Sequence, residues 1–168
     1  MEQVIDMIDR QGDTFAERFE EHRAIVFKVA HAWSRDAHDR ADLAQEIAAQ
    51  LWRAWPRYDP QRRFSTWMYR IALNVAISHA RAGARHAEVP FDEELHEVAD
   101  EHASDHEAAE HVRLLEAFIA RQPALERALL LLYLDERSQR EIGEILGLSE
   151  TNVSTRIGRL KQRLRDEL

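Results

Sequence analysis

Three groups of side chains in this sequence have types and spacings that could do chemistry. The first lies within residues 151–163 and comprises Thr151, Asn152, Ser154, Thr155, Arg156, Arg159, Lys161 and Arg163. Short hydroxyls and an amide come first, and cations follow. Hydroxyls and amides match the donors and acceptors on base edges in a major groove, while Arg and Lys hold guanine or phosphate. The second group is Tyr58, Arg62, Arg63, Phe64, Trp67, Arg70 and Asn74. Rings beside cations suit a separated strand, because a ring stacks on a base for about 1–3 kcal/mol and Arg holds the backbone. Trp67 also fits an apolar stripe, so it serves equally as a core residue. The third group, Asp42, Gln45, Glu46 and Gln50, repeats at helical spacings of three and four. Residue types alone make it either a solvated helix face or a surface for a basic partner.

Catalytic chemistry finds no residues. The chain has no Cys, which removes thiolate nucleophiles, disulfides and thiolate zinc sites together. It has no glycine-rich phosphate loop, no nucleophile elbow and no His-Glu-x-x-His. We therefore expect no enzyme activity and no cofactor. His102 and His106 stand one helical turn apart, a spacing that can chelate zinc. Their acidic surroundings favour a solvated, pH-sensitive segment, and no metal site is expected.

The elements that must position these groups are all helical. Phe15, Phe19, Ile25, Val26, Val29, Ala30 and Trp33 fit one stripe of a helix over 14–34. Leu43, Ile47, Leu51 and Trp55 repeat at four over 39–55, and Pro56 stops that helix. A loop with Pro60 leads to a helix over 64–81. Trp67, Met68, Ile71, Ala72, Val75 and Ile77 are its inward candidates, and Gly83 ends it. Further on, Leu114, Leu115, Phe118 and Ile119 mark a helix that starts near 112, and Pro123 opens the next. No stretch alternates at period two, so no sheet is expected.

Residues 138–160 carry the sharpest local signal. Ser138 with Glu141 makes a Ser-x-x-Glu capping box. Gly143 sits mid-helix, where a missing side chain lets another helix approach. Gly147 suits the left-handed residue of a tight turn, and Ser149 caps the second helix. Ile142, Ile145, Leu146, Leu148, Val153, Ile157 and Leu160 then share one small core. This is a helix-turn-helix with the 151–163 group facing outward.

The chain has 168 residues and a formal net charge of −8, which looks wrong for nucleic acid until it is divided. Residues 86–111 hold ten acidic side chains and no Lys or Arg, so the rest of the chain is at +2. Residues 57–85 hold six Arg against Asp59 alone. Local field, not net charge, decides where phosphates settle. The expected fold is all-α: a helical domain over 1–85, a flexible acidic linker over 86–111, and a helix-turn-helix domain over 112–168. The linker's charge suits it to mask the basic faces of the free protein. The apolar run Ala128–Tyr133 is far short of the ~20 residues that span a bilayer. The N-terminus has no basic, apolar leader, so a cytoplasmic chain without membrane insertion is expected.

In this order, three motifs resemble an extracytoplasmic-function sigma factor, group IV of the sigma-70 family. Asp42-Leu-Ala-Gln-Glu-Ile-Ala-Ala-Gln-Leu-Trp-Arg-Ala-Trp resembles its region 2.2. Phe64-Ser-Thr-Trp-Met-Tyr-Arg-Ile-Ala-Leu-Asn-Val-Ala resembles its −10 recognition helix, and the helix-turn-helix resembles region 4.2. The resemblance implies a sigma factor that binds core RNA polymerase through the β′ coiled coil and the β flap, reads −35 and −10 promoter elements, and helps open the duplex. It puts Asp42, Gln45, Glu46 and Gln50 on polymerase. It puts Tyr58, Arg62, Arg63, Phe64, Trp67, Arg70 and Asn74 on the −10 element. Thr151, Asn152, Ser154, Thr155, Arg156, Arg159 and Lys161 fall to the −35 element, with Arg156 and Lys161 on phosphates. An anti-sigma factor is a further implied partner. Three positions depart from the family pattern: Ala41 where Glu is common, His79 where Asp is common, and Gly158 where a larger side chain is common. The rival reading is a helix-turn-helix regulator that never engages polymerase. Such a protein has no use for the 64–74 motif.

Overall fold

The computed structural model describes the backbone of residues 2–86 and 106–168, and the side chains of 14–83 and 106–168. Among the described residues the chain is all helix, as expected. The elements are α1 (Glu2–Trp33), α2 (Ala37–Ala54), a 3-10 turn (Trp55–Arg57), α3 (Phe64–His86), α4 (His106–Ala120), α5 (Ala124–Leu134), α6 (Gln139–Leu146) and α7 (Glu150–Glu167). They form two compact units, Met1–Ala82 and Gly83–Leu168. Among the described residues no helix is long and apolar enough to cross a membrane.

The first unit packs α1, α2 and α3 around one core. Phe15, Ile25, Val26, Val29, Ala30 and Trp33 of α1 are buried, as are Leu43, Ile47 and Leu51 of α2. On α3 the buried stripe is Phe64, Met68, Tyr69, Ala72, Leu73 and Ala76. This corrects the expected stripe. Trp67, Ile71, Val75 and Ile77 are only half-buried, because the inward face is rotated toward Tyr69, Leu73 and Ala76. Bulk hydrophobicity favoured Val75 and Ile77, whereas close helix packing used the small Ala72 and Ala76. Two helix ends also move. The first helix begins twelve residues before its expected start, and α3 runs through Gly83 to His86. A mid-helix Gly costs about 1 kcal/mol against Ala, which neighbouring turns absorb. Asp36 caps α2 by accepting from the Asp39 N–H.

The second unit is built from α4 to α7. The fourth helix starts at His106, six residues inside the expected linker. Only Phe118 of its apolar residues is fully buried, and Leu114 is exposed. The Arg127 guanidinium closes the end of α4 by donating to the carbonyls of Ala120 at 2.6 Å and Gln122 at 3.3 Å. Gln122 is a buried polar residue with both ends satisfied. Its Nε2 donates to the Phe118 carbonyl at 2.9 Å, and its Oε1 accepts from Arg163 of α7 at 2.9 Å.

The helix-turn-helix forms as its residues dictate. Ser138 and Glu141 complete the capping box in both directions. Gly147 takes φ 70°, the left-handed region that glycine enters without strain. A Cβ on Gly143 would lie 2.5 Å from the Leu148 carbonyl oxygen, so the turn needs glycine there. Ile142, Ile145, Val153, Ile157 and Leu160 are buried, while Leu146 and Leu148 are half-buried at the edge of that core. The expected flexible linker and its masking role fall mostly on 87–105, outside the described residues, as does His102 of the paired histidines. Among the described residues no group of three or more His, Asp or Glu could hold a metal ion.

Candidate nucleic-acid interface

Along α3 and the residue just before it, positions spaced three or four apart line one face. Arg63, Arg70, Asn74, Ser78 and Arg81 are all exposed along it, with Trp67 half-buried between the first two. The result is a basic ridge with an amide in its middle. Asn74, Arg63 and Arg70 were expected at this surface. Ser78 and Arg81 were not, although the same helical period reaches them.

The loop before α3 is tied by hydrogen bonds of its own. Tyr58 donates from its hydroxyl to the Arg62 carbonyl at 2.6 Å, and the Asp59 carboxylate accepts from the Gln61 N–H at 3.0 Å. The Tyr58 ring stacks on Trp55, with centroids 5.2 Å apart and planes within 14°. Phe64 meets Tyr58 edge-on at 5.7 Å and lies 5.3 Å from Trp67. This cluster changes what two expected contacts can do. Phe64 is only 5% exposed, so its ring is core and cannot stack on a base. Tyr58 spends one face on Trp55. Both rings shape the loop that carries Arg62 and Arg63, and those two side chains are exposed.

On α2, Asp42, Gln45 and Glu46 are exposed and Gln50 is half-buried. His38 lies 3.5 Å from Asp42 one turn earlier. Glu46 and Gln50 continue into an open cleft of about 400 Å³, whose other wall is Asn74, Val75, Ser78, His79 and Ala82 of α3. The acidic face and the amide of the basic ridge therefore border the same hollow.

His79 finds its explanation at the edge of that cleft. Its Nε2 lies 2.7 Å from Asp39 Oδ1 in the first turn of α2, and both side chains are half-buried. Burial by itself raises the Asp39 pKa. The His79 hydrogen bond, the Arg35 N–H at 2.9 Å and the charges of both residues outweigh it, so the carboxyl is held below its ordinary value. The pair ties the start of α2 to the end of α3. Its partners are forty residues apart in sequence, which is why no local pattern revealed it.

In the second unit Thr151, Asn152, Ser154, Thr155, Arg159 and Lys161 are exposed on α7, as expected. Asn152 donates its backbone N–H to the Ser149 hydroxyl at 3.1 Å, which fixes the helix start. Lys161 sits over the Tyr133 ring of α5, 4.5 Å from its centroid. Arg156 is half-buried and doubly engaged. Its Nε donates to Asn152 Oδ1 at 2.7 Å, and its Nη1 lies 3.2 Å from Glu126 of α5. Much of the guanidinium that was expected on a phosphate is thus engaged within the protein. Gly158 has open space where a Cβ would stand.

The geometry finds counterparts among known proteins. Residues 18–86 match the family model for sigma-70 region 2, and residues 113–164 match that for sigma-70 region 4. The chain is 30% identical to the ECF RNA polymerase sigma factor SigW of Bacillus subtilis, across 93% of this chain and 89% of that protein. It is 29% identical to the ECF RNA polymerase sigma factor SigE of Mycolicibacterium smegmatis, across 96% of this chain and 66% of that protein. Its fold resembles that of the sigma factor RpoE from Bartonella quintana, solved with the anti-sigma factor NepR. The TM-score is 0.73 at 16% identity, covering 91% of this chain and 95% of the other. A structure of CnrH with the cytosolic domain of CnrY aligns with a TM-score of 0.67 at 21% identity, covering 92% of this chain and 87% of that one. Two helical units that carry a basic, amide-bearing ridge and a helix-turn-helix in this order, with region 2 and region 4 matched in turn, make the chain a member of the extracytoplasmic-function group of sigma-70 RNA polymerase sigma factors.

Proposed function

We propose that the chain binds core RNA polymerase through the α2 face of Asp42, Gln45, Glu46 and Gln50. It directs initiation by reading a −10 element with α3 and a −35 element with α7. The observation that carries this reading is the exposed stripe of Arg63, Arg70, Asn74, Ser78 and Arg81. A regulator that only held duplex DNA through its helix-turn-helix would have no use for it. Asn74 can pair with a base edge, and the flanking Arg residues can hold the phosphates on either side. The protein supplies binding and strand separation, not catalysis, and it works in the cytoplasm beside the polymerase. Regulation by an anti-sigma factor is part of this proposal, because RpoE of Bartonella quintana was solved with one.

The test separates the two surfaces. The double variant Asp42→Ala, Glu46→Ala weakens association with core polymerase at least several-fold and leaves binding of α7 to its element intact. Arg159→Ala does the reverse. Fluorescence-detected titration with core enzyme and a promoter-fragment shift assay read the two effects separately. If the parent chain fails to bind core enzyme yet shifts DNA, the helix-turn-helix regulator reading takes its place.

A further inference from the structure

Glu126 of α5 reaches the exposed face of α7 through Arg156. Arg156 stands one turn after Asn152 on α7 and donates from Nε to the Asn152 amide oxygen at 2.7 Å. A guanidinium carries donors only, so the amide end it consumes must be the carbonyl oxygen. The amide NH₂ is left as the reading end. An unrestrained Asn pairs with adenine by accepting from N6 and donating to N7. An Asn whose oxygen already accepts from a guanidinium keeps one lone pair, but the neighbouring cation disfavours the N6 donor that adenine would bring to it, while the two N–H donors stay on offer. The major-groove edge that takes two donors is guanine, through N7 and O6.

Glu126 of α5 holds the arrangement in place. Its carboxylate lies 3.2 Å from Arg156 Nη1, and the two side chains are 24% and 37% exposed. A charge-assisted bond at this burial orients the guanidinium more firmly than an exposed ion pair could. The Asn152 backbone is itself fixed by the Ser149 cap. With both ends anchored, the Asn152 amide has one orientation to show the groove. We propose that Glu126 is a specificity-determining residue: by holding Arg156 against Asn152, it biases Asn152 toward its donors and so toward guanine over adenine. Glu126 acts through Arg156 and is a positioning residue. The proposal rests on the reading of α7 as the −35 helix.

The experiment selects from a promoter pool randomised across the −35 element, using the full chain with core polymerase, and compares base preference position by position. The parent prefers guanine to adenine at one position, and Asn152→Ala flattens that position alone. Glu126→Gln removes the charge that holds Arg156 and shifts the same position toward adenine by about tenfold, the scale of one bidentate contact. Arg156→Gln frees the Asn152 oxygen with every residue of α5 left as it is and produces the same shift, which covers the case of Glu126→Gln folding poorly. In the double variant Glu126→Gln, Asn152→Ala the Glu126 change has no further effect at that position. A merely structural role for Glu126 would lower selection evenly at every position. That even loss, or an unchanged preference at the Asn152 position in both single variants, overturns the proposal while leaving α7 a reader. If the parent enriches no −35 sequence at all, the reading of α7 fails and the proposal with it.

Discussion

Gly143 and Gly158 both sit inside helices of the helix-turn-helix, yet opposite outcomes follow from changing them. Gly143→Ala would push a Cβ to 2.5 Å from a backbone oxygen that cannot swing aside, so the α6–α7 turn must open. We expect a loss of about 1–3 kcal/mol, the usual cost of overpacking. Gly158→Ala enters open space and gains helix propensity, so it should stabilise the unit by about 0.5–1 kcal/mol. Thermal unfolding followed by circular dichroism measures both, and equal shifts in the two variants would refute the distinction. Asp39 gives a prediction in pH. Its folded pKa is lowered, so the stability it contributes is present above the ordinary carboxylate value and is lost as pH falls through the folded value. Asp39→Asn should therefore cost most near neutrality, and the gap to the parent should close on acidification. All four Trp residues, 33, 52, 55 and 67, lie in the first unit, so Trp fluorescence against denaturant reads that unit alone. A gap that widens toward acid would contradict the sign. At this scale the sequence was legible where a residue acts on its neighbours, as Ser138, Gly143 and Gly147 do. It was silent where partners are distant. His79 was visible as a departure from the family but not as the partner of Asp39, and Glu126 carried no signal until folding set it beside Arg156.

The elements show why some helices were easier to read than others. In α1, α2 and α7 the apolar residues are large and regularly spaced, and their burial follows the expected stripes except at Phe19 and Trp55, which are half-buried, Trp55 lying just past the end of α2. In α3 the inward face mixes Ala72 and Ala76 with Met68, Tyr69 and Leu73, so hydrophobic bulk misplaced it. The start of α4 was hidden because its first turns, from His106 to His111, are polar or Ala and fully exposed. Such residues propagate a helix without announcing a buried face. The capping box of α6 is the element signal with the clearest energetic consequence. The Ser138 hydroxyl accepts from the Glu141 N–H at 3.1 Å, and the Glu141 carboxylate accepts from the Ser138 N–H at 3.3 Å. Ser138→Ala should cost about 1 kcal/mol, and Ser138→Asp should restore most of it, because either side chain can accept that bond. Unfolding of the two variants by denaturant checks this, and an unchanged midpoint for Ser138→Ala would remove the cap from the account of α6.

For the whole molecule, net charge was the misleading quantity and its distribution the useful one. The acidic residues concentrate in 86–111, while the exposed faces of α3 and α7 carry Arg and Lys. Those faces, not the average, set the local field that a phosphate backbone would feel. The family relation fits the proposal of two DNA-reading surfaces on one small chain, and the shared cleft of Glu46, Gln50 and Asn74 brings the proposed polymerase-binding face beside the proposed strand-reading ridge. Such placement suits a protein that presents DNA to a partner enzyme as it separates the strands. Reconstituted transcription tests that claim most directly. Core RNA polymerase is supplied with the purified chain and a pool of templates, and single-strand reactivity of thymines is mapped alongside transcript starts. Sigma function predicts defined start sites that require the chain, with an open stretch upstream of each that shrinks sharply in Asn74→Ala while core binding persists. Starts that are the same with and without the chain, or open stretches unaffected by loss of the Asn74 amide, would contradict it.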